Sequence, residues 1–322
     1  MKRDTTIKAN SRGSLVGHLA SAGAYVIFGL NIVFCKDIAN SAYITPTMLF
    51  TLRALGAAAL FWIASAFMPA EHIAREDRGR VVLASLLGLF VPQMTFLIAI
   101  TMTTSIDTSI LSSFSPIMTM FIAAVFLHEP ITFQKAGGVA MSFAGVLLLI
   151  FNSFHAAGAV EHTHPLGVVL MLCNCLSFAL YLGAFRPLIA RYSVVTFMKW
   201  MFLVSLVVSL PFSAADFLHV GDSALTPRVV WEVLFVIVFA TFVAYFLIPV
   251  GQKRIRPTLV SMYSYIQPLL AAVISIFIGQ DSLTWQKIVA AVLVFTGVAV
   301  VTRSRAASQA APSQNKTPIE TT

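Results

Sequence analysis

Ten stretches of the chain are apolar for roughly 17–25 residues, the length a helix needs to cross the hydrocarbon of a bilayer. They fall at about 16–35, 45–68, 81–101, 106–127, 134–152, 165–185, 194–214, 229–250, 257–279 and 285–302. Lipid offers a bare peptide group no hydrogen-bond partner, so such segments must be helices or the strands of a closed barrel. Barrel strands alternate polar and apolar residues over about ten positions, whereas "VVLASLLGLFV" and "GVLLLIF" are apolar without a break. Helices are therefore expected. Of the 322 residues, 58% are hydrophobic and 11% charged, against about 25% charged in a soluble domain. Mean hydropathy is +0.87. So few charges cannot clothe a water-facing surface, and the expected fold class is an all-α integral membrane protein with ten transmembrane helices.

The placement of charge gives a topology. With ten spans and a cytoplasmic N-terminus, the cytoplasmic side holds Lys2, Arg3, Lys8, Arg12, Arg75, Arg78, Arg80, Lys135, Arg186, Arg191, Lys253, Arg254, Arg256, Arg303, Arg305 and Lys316. The outer side holds Lys36, Arg228 and Lys287, while Arg53 and Lys199 stay inside helices. The positive-inside rule produces this asymmetry. The net charge of +8 is thus topological, and a nucleic-acid partner is not expected. Residues 1–14 read as a cytoplasmic tail and 303–322, rich in Ala, Ser, Gln, Pro and Thr, as a disordered one. No small-residue cleavage site follows the first apolar run at a normal distance, so it reads as a retained helix.

The polar punctuation between spans is written twice. "FLHEPITFQKAGGV" at 126–139 is echoed 152 positions later by "IGQDSLTWQKIVAA", with Glu129 over Asp281, Thr132 over Thr284, Gln134 over Gln286 and Lys135 over Lys287. Pro116 falls over Pro268, and "FAGV" at 143–146 over "FTGV" at 295–298. Upstream the offset is 150: "FLI" at 96–98 recurs at 246–248, and "FGLN" at 28–31 as "FALY" at 178–181. Helices 2 and 7 do not align with each other by sequence. Five helices written twice enter the membrane from opposite sides, because five is odd. Inverted repeats of this kind build transporters whose substrate site lies near the midplane between the halves. The expected units are 15–152 and 165–302, joined by an outer loop at 153–164.

The segment "SPIMTMFIAAVFLHEPITFQKAGGVAMSFAGVLLL" resembles the fourth-to-fifth helix region of the EamA family, in the drug/metabolite transporter superfamily. The features that carry the likeness are Ser115, Pro116, Glu129, Gly137, Gly138, Gly145 and Val146. The second copy departs from the pattern, with Asp281 for the Glu and Val289 or Ala290 for the first glycine of the next helix. In helix 1, Phe28-Gly29 stands where the family often has Trp-Gly. The resemblance implies two EamA repeats, both termini cytoplasmic, and a central cavity lined mainly by helices 1, 3, 4, 6, 8 and 9.

Polar groups inside a bilayer are costly and each asks for a reason. Gln267 precedes Pro268, which frees a backbone carbonyl and kinks the helix. Gln267, Tyr263 and Tyr265 then face the cavity, or Gln267 pairs with a neighbouring helix. Ser112, Ser113 and Ser115 before Pro116 are the pseudo-equivalent patch, with plain close packing as the alternative. Asn31 and Tyr181 hold matching positions, and Asn174, Gln93 and Tyr245 are further substrate-binding candidates, each with interhelical bonding as its rival. Arg53 binds an anionic group or snorkels outward, with a structural role favoured. Glu129 and Asp281 read as structural or gating residues beside Pro116 and Pro268, pairing with Lys135 and Lys287 or capping the next helix. Asp107 is the one carboxylate within a span, so the paired carboxylates usual in proton coupling are missing.

Cys35, Cys173 and Cys175 read as packing residues; the Cys-x-Cys places its thiols roughly 200° apart on a helix. "HEPIT" lacks the second His of a metal helix, and His155, His162 and His164 sit in a solvated loop. No nucleophile, phosphate loop or haem signature is present. The expectation is a transporter, not an enzyme, of a small organic metabolite in a plasma (bacterial inner) membrane. No cofactor or metal is expected; the partners are the solute, the lipid bilayer and, as an open option, a second copy. A non-transporting scaffold or sensor is the alternative, followed by a membrane-embedded lipid enzyme.

Overall fold

The computed structural model describes residues 2–41, 44–115, 117–119, 121–122, 133–155, 163–218, 226–255, 260 and 263–310. Every regular element among them is helical. In chain order these are α1 (Lys2–Ser41), α2 (Pro46–Ala66), α3 (Arg75–Thr101), α4 (Ser105–Ser112), α5 (Phe133–His155), α6 (Pro165–Ala184), α7 (Val194–Leu218), α8 (Pro227–Arg254), α9 (Ile266–Phe277, entered through a 3₁₀ turn) and α10 (Trp285–Ala310). A short helix, Arg186–Arg191, lies between α6 and α7. Among the described residues, α1, α2, α3, α6, α7 and α8 are each long and apolar enough to cross a bilayer; α5, α9 and α10 hold shorter apolar segments. The chain is a multi-pass membrane protein.

Two boundaries differ from the sequence expectation. The first helix already runs from Lys2, and the last continues to Ala310 rather than ending near 302. The segment after Thr302 reads Arg-Ser-Arg-Ala-Ala-Ser-Gln-Ala, and its alanines and arginines are strong helix formers even without an apolar face.

Local chemistry sets the helix starts. Thr45, His164 and Thr226 cap α2, α6 and α8 by accepting the N–H of Met48, Leu166 and Val229, and each is followed by proline at the first helical position. Proline suits that position because its missing N–H would be unpaired there in any case. α9 ends on Gly279, whose φ of +69° few residues but glycine adopt. The reversal lets Gly279 N–H reach Ile276 O at 3.1 Å and Gln280 N–H reach Ser275 O at 2.8 Å, a Schellman stop.

Packing exposes the internal symmetry. α1 packs on α8 as α6 packs on α3, α1 on α9 as α6 on α4, and α2 on α8 as α7 on α3. Each of α2, α4 and α5 also packs on its own counterpart, α7, α9 and α10. The counterparts run antiparallel: Thr51 bonds Ser213 while Phe61 stacks on Phe202, and Ser105 meets Gln280 at opposite helix ends. The two copies are therefore inverted with respect to each other, and α2 and α7, which do not align by sequence, sit as equivalents. A π-helical turn at Leu86–Phe90 in α3 recurs at Val236–Val243 in α8, 150 positions on, which is the offset of the sequence echo.

The α5–α10 seam shows what the repeated Gly-Val is for. A methyl built on Gly145 would lie 2.8 Å from Ala290 O. One built on Gly297 would collide with Gly138 O and Ser142. Small residues let two backbones approach this closely where lipid supplies no hydrophobic drive. Gly297→Val should therefore destabilise by about 1–3 kcal/mol, the range for overpacking, read as a lowered midpoint of thermal unfolding in detergent. Gly137→Val on the same seam helix, with open space around it, should change little.

At the end bearing Arg75, Arg78, Arg80, Arg191 and Lys253, the α2–α3 loop clasps the start of α7. Glu71 accepts the Ser193 N–H at 3.0 and 3.1 Å. Partial burial pushes the Glu71 carboxyl up, but hydrogen bonds from Ser193 and Thr196 and the nearby Lys253 hold it below its ordinary value on balance. A depressed folded value means that the stabilisation is complete above the unfolded value near pH 4.3 and fades as pH falls through the folded one. Wild type should outlast Glu71→Gln in thermal unfolding at pH 7, and the gap should close below about pH 4.

Candidate functional site

Between the two repeats lies a cavity of about 90 Å³, room for roughly six to nine waters at about 10–15 Å³ each. The first repeat contributes Tyr25, Phe28, Asn31 and Ile32 from α1, Arg53 from α2, Pro92, Gln93 and Phe96 from α3, and Ser112 and Ser115 from the α4 region. The second contributes Asn174, Cys175 and Phe178 from α6, Tyr245 from α8, Ser264 from the turn before α9, and Gln267 from α9. The structure thus brings together Asn31, Gln93, Ser112, Ser115, Asn174, Tyr245 and Gln267 of the sequence candidates. The lining also includes α2, through Arg53, beyond the six helices that the resemblance implies.

Widened helical turns shape the walls. The π-helical stretch of α3 runs directly into Pro92, and two α6 side chains bond the carbonyls there. Ser177 Oγ donates to Leu87 O at 2.8 Å, and Asn174 Nδ2 donates to Pro92 O at 2.6 Å. Side chains of a neighbouring helix commonly re-satisfy backbone freed by proline in a bilayer, and π-turns recur at functional sites. In α8, Thr241 Oγ1 donates to Val236 O at 2.7 Å within the matching stretch and accepts Arg53 Nε at 2.9 Å.

Several wall groups lack a well-formed protein partner among the described residues. Tyr25 Oη, both amide atoms of Gln93, Ser115 Oγ and Ser264 Oγ are buried with no hydrogen bond of standard geometry, the Gln93 amide lying beside the Tyr245 hydroxyl. Buried polar groups are nearly always paired, so five such atoms around one cavity describe a surface shaped to bind something polar. Ser112 Oγ is already engaged with Thr108 O at 2.9 Å, and Asn31 accepts only a 3.4 Å contact from Cys35 Sγ. Phe28, Phe178 and Tyr245 add aromatic faces, with Tyr245 edge-on to Phe28.

Other candidates lie elsewhere. Tyr181 is 1% exposed and packs over Gly88 of α3, off the cavity. Tyr263 bonds His18 Nδ1 at 2.8 Å, also outside the lining. Pro268 is buried within α9; Pro116 and Glu129 fall outside the described residues. Arg53 is 2% exposed and turned to the cavity, not to the outer face. Lys199 sits 4.9 Å above the Trp62 ring. Sequence reading missed Tyr25, Cys175 and Ser264 as wall residues, since none carries a signal beyond being a small or aromatic member of an apolar run.

At the end away from the basic loops, a polar latch ties four segments together. Gln280 Nε2 donates to Val33 O at 3.1 Å while its Oε1 accepts from Ser105 at 2.9 Å. Asp281 accepts the Ile106 N–H at 2.9 Å and pairs with Lys287 at 2.6 Å. Lys287 also donates to Thr104 Oγ1, and Lys36 to Thr103 O. Asp107 accepts from Thr163 at 2.5 Å.

Known proteins match this architecture. The profile of the EamA-like transporter family fits residues 15–151 and again 165–303. An uncharacterized transporter of Archaeoglobus fulgidus is 20% identical over 82% of this chain and 91% of its own. Two from Bacillus subtilis, the uncharacterized transporters YcxC and YyaM, are 26% and 22% identical over 60% and 70% of this chain and 63% and 73% of theirs. A solved crystal structure superposes with a TM-score of 0.61 over 93% of this chain and 99% of that one at 17% identity, a likeness of fold alone.

Gln93 offers a direct check. Replacing an unpaired buried amide by an apolar group of similar shape removes a desolvation penalty rather than a bond. Gln93→Leu should leave the thermal midpoint of the solute-free protein unchanged or raise stability by up to about 1 kcal/mol. A clear fall in detergent unfolding would show that the amide is a structural tie instead.

Proposed function

This chain belongs to the EamA-like transporter family, and from that premise we propose that it moves a small organic metabolite across the plasma membrane by alternating access. The observation that carries the reading is the central cavity between the two repeats, with unpaired polar atoms on both of its sides. Inverted repeats can exchange conformations about a fixed central site, so the same groups face one side and then the other. In this reading ten helices span the bilayer, the basic end is cytoplasmic with both termini there, and the latch at Gln280, Asp281 and Lys287 holds the outer end. That assignment is supported by charge: Arg75, Arg78, Arg80, Arg186, Arg191, Lys253 and Arg254 cluster at one end. The three cations of the other end are each engaged, Lys36 with Thr103 O, Arg228 with Asp37 and Glu232, and Lys287 with Asp281. Export is the direction on analogy with the family. Opening outward would require the latch bonds to break.

Untargeted metabolite profiling of cells and medium tests the reading. Strains carrying wild type, an empty vector and Gln267→Leu at matched abundance are compared. One compound class should move between cytoplasm and medium with wild type, and the shift should fall by about tenfold or more in the variant, as expected for losing one buried hydrogen-bonding group of about 1.4 kcal/mol. A shift that survives in Gln267→Leu would remove Gln267 from the site, and no shift under several growth conditions would favour a scaffold or sensor.

A further inference from the structure

We propose that the transported solute is a small organic monoanion and that its carboxylate docks on Arg53. The inference rests on the transport reading above and narrows it to a chemical class.

Arg53 is the only charged residue among the described residues that line the cavity. It is 2% exposed, and a cation in a bilayer interior persists only with a partner or a function. Its protein partners are neutral. Nε donates to Thr241 Oγ1 at 2.9 Å, and Nη1 approaches Cys35 Sγ at 3.8 Å. No ion pair among the described residues includes it. Glu232, on the same helix as Thr241, is taken by Arg228 at 3.0 Å. A guanidinium carries five N–H donors in a planar fork, so most of them remain for a ligand. That fork matches a carboxylate in a two-point contact.

Thr241 fixes where the fork points. Its hydroxyl proton is spent on Val236 O, inside the π-helical turn, so the oxygen can only accept from Arg53. The guanidinium is held by its Nε and not neutralised. This is a positioned cation awaiting an anion.

Charge counting selects the class of anion. One cation and no lining carboxylate balance a single negative charge. A dianionic phosphate would leave one charge uncompensated in the cavity, and an amine would meet Arg53 without any acid to receive it. The rest of the wall suits the body of a small acid. Phe28, Phe96 and Phe178 offer apolar faces, while Gln93, Tyr25 and Ser264 offer unpaired hydrogen-bonding atoms for a hydroxyl or keto group. The space of about 90 Å³ limits the solute to a compact molecule.

The test uses the purified full-length protein in lipid nanodiscs. Thermal unfolding is recorded with straight-chain carboxylates from acetate to octanoate, with lactate and benzoate, with the matched amides lactamide and benzamide, and with benzylamine and methylphosphonate. At least one acid should raise the midpoint in a saturable way while its amide and benzylamine do not. Arg53→Gln should bind that acid about 30-fold more weakly or worse, the usual effect of deleting one partner of a buried charge pair, and Arg53→Lys should keep the preference for acid over amide. The acid–amide comparison in wild type decides the matter even if the variants fail to fold. Stabilisation by amides equal to that by acids, stabilisation by none of the acids, or full acid binding by a folded Arg53→Gln would each overturn the proposal. Proteoliposome efflux of the labelled acid separates the two readings. Binding without flux leaves the anion site standing and sinks the transport reading; flux of neutral or cationic solutes alone sinks the anion site and leaves transport intact.

Discussion

The close approach of each helix to its own counterpart governs the rest of the molecule. Lipid gives two apolar helices no hydrophobic reason to associate, so contact must come from packing and from polar ties. Here it comes from pairs placed twice. Gly145 lies against Ala290 O, and Gly297 lies against Gly138 O and Ser142, equivalent contacts read from opposite sides of one seam. Ser142 adds a bond to Val294 O at 3.1 Å. The aromatic stack of Phe61 on Phe202 does the same for α2 and α7. Because counterparts run antiparallel, the same kinds of contact frame the space between the halves from both ends of the molecule.

The symmetry is broken where chemistry is needed. Both repeats widen a helix at the same place, Leu86–Phe90 and Val236–Val243. In α3 the exposed carbonyls are taken by the uncharged Ser177 and Asn174. In α8 the bond falls to Thr241, which in turn holds a guanidinium. α7, the counterpart of α2, brings no charged residue to the cavity lining among the described residues, and its cation Lys199 sits over the Trp62 ring instead, so the charge has no twin there. A symmetric scaffold can exchange conformations, and an asymmetric lining can select a solute. The two requirements fall on different residues.

Much of this was legible in the sequence because periodic apolar runs and repeated glycines and prolines are local signals. The two-copy architecture followed from motifs repeated at fixed offsets, and seven of the polar candidates that share one cavity from the rarity of polar groups in apolar helices. What failed to transfer was facing. Tyr181 matches Asn31 in the repeat, yet it turns onto Gly88, since a large ring fills the gap opposite a residue with no side chain. For Arg53 the sequence leaves an anion-binding role and an outward, structural one both open, because its distance from the helix end is all the sequence gives. Its orientation depends on Thr241, 188 residues away. The latch was half visible: Asp281 with Lys287 is a short-range pair, but the docking of Asp281 on the Ile106 N–H needs the fold.

Unpaired groups occur at several places in the bundle, among them Gln252, Tyr181 and Ser275, but among the described residues only around the cavity do several share one open space. The latch satisfies most of its donors and acceptors, one oxygen of Asp107 excepted. The cavity leaves Gln93, Tyr25, Ser115 and Ser264 without bonds of standard geometry. An unmet buried group costs about 1–3 kcal/mol, so a core of leucine at these positions would make a more stable protein. A bundle selected for stability alone would not keep such a centre. In the transport reading proposed above, the missing partners arrive with the solute, which binds only as tightly as passage allows.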